Sequence, residues 1–77
     1  MKKSHKGDHI EMIEFYIKTG FVQVINKDGS TIKTTREQRN LITKHIKNKA
    51  ALVANVRKAF NNPNIIDDEV YIKIVNE

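Results

Sequence analysis

The sequence predicts an α+β fold: a small antiparallel sheet in β-β-β-α-α-β order, with two amphipathic helices packed on one face. Three observations carry that reading. Apolar residues alternate with polar ones over residues 13–34, the period switches to that of a helix at Thr35, and alternation returns after Pro63.

Ile13, Phe15 and Ile17 alternate with Glu14, Tyr16 and Lys18, which is a strand pattern. Thr19-Gly20 turns the chain, and Phe21-Val22-Gln23-Val24-Ile25 forms a second β-branched run. Lys27-Asp28-Gly29 then reads as a three-residue hairpin loop, with Gly29 suited to the left-handed position of a G1 bulge. Ser30–Thr34 returns as a short third strand.

Thr35-Arg36-Glu37-Gln38 reads as a capping box, in which the Thr hydroxyl and the Gln side chain each satisfy the other residue's amide. Thr34 with Glu37 offers the same device one residue earlier. The first helix is expected over 35–47, with Leu41, Ile42, His45 and Ile46 on one face and Arg36, Arg39, Asn40, Thr43 and Lys47 on the other. The pattern breaks at Asn48-Lys49 and resumes as Leu52, Val53, Val56, Ala59 and Phe60, a second helix over 50–61. Asn61-Asn62-Pro63-Asn64 stops it, because proline cannot continue a helix and asparagine tolerates the left-handed cap. Val70, Ile72 and Ile74 then alternate with Tyr71, Lys73 and Val75 in a last strand near 69–75.

Packing these elements makes Phe15, Ile17, Leu41, Ile46, Leu52, Val56, Phe60 and Ile72 the expected core. The opposite sheet face would carry Tyr16, Val22, Val24, Tyr71 and Val75, unless strand phase slips at Gly20 and turns some of them inward. An apolar face of this kind commonly marks an interface, so the sequence allows a homodimer through the open sheet face. Residues 1–9 show no apolar periodicity and read as a flexible basic tail on a domain spanning 10–77.

With 77 residues the chain has room for one core and buries only about 60–65% of its unfolded surface. It has no cysteine, so disulfide staples, zinc thiolates and thiol nucleophiles are excluded. No apolar run approaches the length of a membrane span, and no signal-peptide core follows the first lysines. The expected setting is the cytoplasm. The abundance of Lys, Asn and Ile resembles the coding bias of AT-rich bacteria and their phages.

The sequence offers little to catalysis. Gly7, Gly20 and Gly29 are scattered and make no phosphate-cradling loop. Ser4 and Ser30 lie outside any nucleophile-elbow context. Asp67-Asp68-Glu69 reads as an acidic lead-in to a strand. His5 and His9 with Asp8 would hold a metal only if a helix held them, whereas the segment reads as a tail, and His45 ends an apolar stripe. The expectation is a non-enzymatic protein without metal or cofactor.

Charge is the strongest functional signal. Lys27 to Lys58 holds nine basic residues against two acids, whereas Ile65 to Glu77 holds four acids against one base. A basic middle of this density draws in polyanions over long range. Glu37 is the only acid between Arg36 and Asp67, so helical ion pairing does not account for the cations. Arg36, Arg39 and Lys47, with Asn40 and Thr43, are the residue types that contact phosphates and base edges, and Lys33 and Lys27 extend the field.

Two segments resemble DNA-binding units. Val24 to Ile46, with Asp28-Gly29, Thr35-x-x-Gln38 and Leu41-Ile42, resembles the opening of a response-regulator winged helix. Thr31 to Asn61 resembles a ribbon-helix-helix unit, which would turn Thr31, Lys33 and Thr35 toward the major groove. The chain as a whole follows neither pattern. The functional expectation is a small basic nucleic-acid-binding regulator of bacterial or phage type, acting through a basic helix face. The alternative is a protein-interaction module, a small inhibitor or accessory subunit that binds an acidic protein surface.

Overall fold

The computed structural model describes residues 8–77; Met1–Gly7 of the expected tail lie outside the described residues. The chain runs β1 (Ile10–Tyr16), β2 (Phe21–Asn26), α1 (Arg36–Lys44), α2 (Lys49–Ala59) and β3 (Tyr71–Val75). This is an α+β fold in β-β-α-α-β order. Its sheet is mixed: the strand order is β2-β1-β3, with β1 and β2 antiparallel and β1 and β3 parallel.

Two expectations about the sheet are corrected. The loop at Lys27-Asp28-Gly29 closes as expected, with the Gly29 amide donating to the Asn26 carbonyl at 2.9 Å, the Asn26 amide to Ser30 at 2.7 Å, and Gly29 at φ 93°. The returning segment Ser30–Thr34 is not a strand, however. It makes one bridge, Thr31 to Ile25, closed by the Ile32 amide donating to the Val24 carbonyl and by the Asn26–Ser30 bond of the loop. It then leaves the sheet edge so that Thr35 can cap α1. Thr31, an outward strand residue in the ribbon-helix-helix likeness, is thus bridged to β2 of its own chain. Nor is the sheet wholly antiparallel. α2 returns the chain to the end where β1 begins, and the Ile10 amide donates to the Ile65 carbonyl there at 2.6 Å. β3 thus starts beside the start of β1 and runs with it.

The core follows from register. Phe15 pairs with Val22 and Ile13 with Val24, so these four share a face, which Ile72 joins opposite Ile13. Strand phase does slip across the Ile17–Gly20 turn, and Val22 and Val24 point inward rather than outward. A β-bulge between Ile10 and Met12 keeps Ile10 on the same side. Ile10, Ile13, Val22 and Val24 form one buried cluster with Ile42 from α1 and Leu52, Val53 and Val56 from α2. Ile65, Ile66 and Val70 complete it from the connection between α2 and β3.

Of the expected core, Leu52 and Val56 are fully buried, while Phe15, Leu41, Ile46, Phe60 and Ile72 are half-buried at its margin. Ile17 is exposed, because it lies past the end of β1 in the turn. The other sheet face carries Tyr16, Tyr71 and Val75 as expected, now joined by Met12, Phe21 and Ile25 through cross-strand pairing.

Both ends of α2 follow local chemistry. Asn48 accepts from the Ala51 amide at 3.2 Å as the N-cap. Asn61 takes φ 53° after the helix, and the Asn61 and Asn62 amides donate back to Lys58 and Arg57, a Schellman closure. Before β1, Asp8 accepts from Asn26 Nδ2 at 2.9 Å, and the His9 amide donates to Asn26 Oδ1 at 2.9 Å. These last two residues of the expected tail are thus bonded to the fold. Among the described residues no helix is long and apolar enough to cross a membrane.

Candidate nucleic-acid interface

α1 is fixed at its start by the capping box. Thr35 Oγ1 accepts from the Gln38 amide at 3.1 Å, and Gln38 Oε1 accepts from the Thr35 amide at 2.9 Å. Gln38 Nε2 also donates to the Ala59 carbonyl at 3.2 Å, tying the first turn of α1 to the last turn of α2. With Ile42 fixed inward, the helix rotation is set. Arg36, Asn40 and Lys44 then form an exposed stripe at four-residue spacing. Glu37 lies in the first turn, where a carboxylate complements the helix dipole.

The sequence-predicted residues divide under this geometry. Arg36 and Asn40 are exposed on the stripe, and Lys47 is exposed just beyond its end. The helix stops at Lys44 rather than Lys47: His45 caps it, and its amide donates to the Leu41 and Ile42 carbonyls. Arg39 is half-buried, its Nη1 donating to the Thr34 carbonyl at 2.6 Å and to Thr34 Oγ1 at 3.2 Å. Thr43 is half-buried as well, and its hydroxyl donates to the Arg39 carbonyl at 2.9 Å. These two therefore flank the stripe, and Arg39 braces the segment leading into it.

Lys33 is exposed in that leading segment, on a shallow hollow it shares with Thr34 and Arg39 along the edge of β2. Lys27 is not brought to this group. It lies at the other end of the sheet, on a cleft shared with His9, Glu11, Asp67 and Glu69. Hairpin geometry puts it there, because β2 ends where β1 and β3 begin. Lys44 is the residue that sequence reasoning left off the face. Its spacing of four from Asn40 and eight from Arg36 was the available signal.

The electrostatics favour an anion. The two ion pairs between described residues are Lys73–Glu14 at 3.8 Å and His9–Asp67 at 3.3 Å. Neither involves α1 or α2, so Arg36, Lys44, Lys47, Lys49 and Lys58 project without acidic partners among the described residues. Arg57 is the exception on α2, donating from Nε to the Ile66 carbonyl at 3.2 Å. Among the described residues no group of three His, Cys, Asp or Glu side chains could hold a metal. The acids at 67–69 form a turn, in which Asp67 accepts from the Glu69 amide at 2.9 Å.

One apolar feature borders the basic stripe. A groove of about 760 Å³ runs between the end of α1 and the sheet, lined by Phe15, Ile17, Ile46, Ile72 and Ile74, with Lys47 at its rim. No family model, curated protein or solved structure matches this chain.

Proposed function

We propose that this chain is a non-enzymatic nucleic-acid-binding protein, a small regulator of bacterial or phage type working in the cytoplasm. The contact surface is the exposed stripe of α1, Arg36, Asn40 and Lys44, continued by Lys47 and flanked by Lys33. The observation that carries this reading is the set of exposed cations Arg36, Lys44 and Lys47 on and just beyond α1, none of them ion-paired to an acid among the described residues. Successive stripe residues stand about 6 Å apart along the axis, so a single anionic strand can meet several in turn. Arg36, Lys44 and Lys47 supply phosphate contacts. Asn40 lies between two of them and is the side chain placed to read a base edge.

The test is binding to duplex DNA, single-stranded DNA and RNA over a salt series, read by fluorescence anisotropy. Each phosphate contact steepens log affinity against log salt by about 0.9 on duplex DNA. Replacing Arg36 and Lys44 together by Gln should flatten that slope by about 1.8 and leave the fold unchanged, since both are exposed. Lys27→Gln, at the acidic end, should change it far less. Asn40→Ala should alter sequence preference more than salt slope. If the wild type shows no salt-dependent binding to any of the three, the reading fails, and the stripe belongs to an acidic protein partner or merely to solvent.

A further inference from the structure

We infer that two copies of this chain associate through the free edge of β3, in an antiparallel two-fold pair that continues the sheet from one protomer into the other. The inference does not depend on nucleic-acid binding. β3 is an edge strand. The Val75 carbonyl accepts from the Ile17 amide at 3.0 Å, so alternate residues Tyr71, Lys73 and Val75 turn their backbone groups toward β1. The strand period turns those of Ile72 and Ile74 outward, where no described strand flanks them.

Natural edges are usually protected by a charged side chain that blocks pairing. The one charge on β3 is Lys73, and its ammonium lies 3.8 Å from Glu14, drawn back over its own sheet. What remains along the edge is apolar: Ile74 is 50% exposed and Tyr71 60%. Ile72 and Ile74 also line the groove beneath α1, so pairing two edges would join the two grooves into one apolar surface.

Charge selects a second copy as the occupant. The exposed acids Asp67, Asp68 and Glu69 precede β3 and outnumber the basic groups at that end, Lys27 and the His9 that lies 3.3 Å from Asp67. By its far end lie Lys47, on the groove, and Lys18, in the turn after β1. Glu77, also at that end, accepts from the Thr19 amide and hydroxyl at 3.2 Å and is held against the turn. A closed dimer built on one edge must pair its strands antiparallel. That arrangement brings the acidic start of each β3 beside the basic far end of the other, whereas a parallel pair would set acids against acids.

Sedimentation from micromolar to millimolar protein, without nucleic acid, tests this. The wild type should move from one chain mass toward two as concentration rises, and added salt should weaken the association. Ile74→Pro removes an outward amide that has no partner among the described residues, so it should remain one mass throughout while keeping the wild-type circular dichroism. Ile74→Glu, which changes only an exposed side chain, should weaken association by more than about tenfold. Phe21→Ser, on β2 and the opposite sheet face, should leave it intact. A wild type that stays at one mass at millimolar concentration would overturn the inference. So would a folded Ile74→Pro that dimerises as tightly as the parent, association insensitive to salt, or dissociation by Phe21→Ser in place of the Ile74 variants.

Discussion

Replacing Asn26 by Leu should destabilise this fold far more than its position at the end of a strand suggests. Asn26 is the one buried polar residue among the described residues, 6% exposed, and it links three segments. Its Oδ1 accepts from the His9 amide at 2.9 Å and the Lys27 amide at 2.7 Å, and its Nδ2 donates to Asp8 at 2.9 Å. Leu has the same branching and no smaller volume, so no cavity term enters. The Lys27 amide still has the His9 carbonyl at 2.7 Å, and Asp8 can turn to water. The His9 amide, however, loses its partner in a part-buried position. One orphaned amide costs about 1–3 kcal/mol and each of the two remaining bonds about 0.5–1.5, which together give about 2–6 kcal/mol. A chain of this length has about 4–12 kcal/mol in all, so the loss is a large share. Urea denaturation followed by circular dichroism measures it, with a fall in Tm of at least about 8 °C as the thermal counterpart. A loss below about 0.5 kcal/mol would show that water replaces Asn26 at the His9 amide, and the argument would fail.

Three further outcomes follow from burial, capping and titration. Leu52→Ala, at a fully buried site, should cost about 2–5 kcal/mol, whereas Ile17→Ala, at an exposed one, should change stability by less than about 0.5, both read from denaturant midpoints. Thr35→Ala removes the hydroxyl half of the capping box and should cost about 1 kcal/mol by the same assay. The Tyr16 hydroxyl donates to Glu14 at 3.1 Å, and this bond raises its pKa above the ordinary 10.0, with burial and the Glu14 and Glu77 charges adding to the effect. Folding therefore favours the protonated phenol. That contribution is complete below the ordinary tyrosine value and is lost as pH rises through the folded-state one. Absorbance titration should show Glu14→Gln lowering the Tyr16 midpoint, and an unmoved midpoint would refute the assignment.

Local chemistry was legible in the sequence wherever one or two residues suffice to fix a conformation. The capping box at Thr35 and Gln38, the turn at Gly29 and the left-handed Asn61 all formed, because each depends on hydrogen bonds or φ angles within four residues. The switch of hydrophobic period placed both helices and all three strands, and the spacing of Arg36 and Asn40 placed part of the stripe.

Tertiary structure decided what depends on distant partners. The phase of β2 is set by its register against β1 across the turn, and that pairing turned Val22 and Val24 into the core. Ile65, Ile66 and Val70 are buried from an irregular connection with no periodic pattern to announce them. The direction of β3 was fixed only by where α2 returns the chain. The same placement took Arg39 out of the stripe to bond Thr34 and carried Lys27 to the acidic end. Composition determines how much positive charge the middle of this chain carries. Only the packing of α1 determines which of those charges face outward together, because a helix turns its side chains as one rigid body once Ile42 is buried.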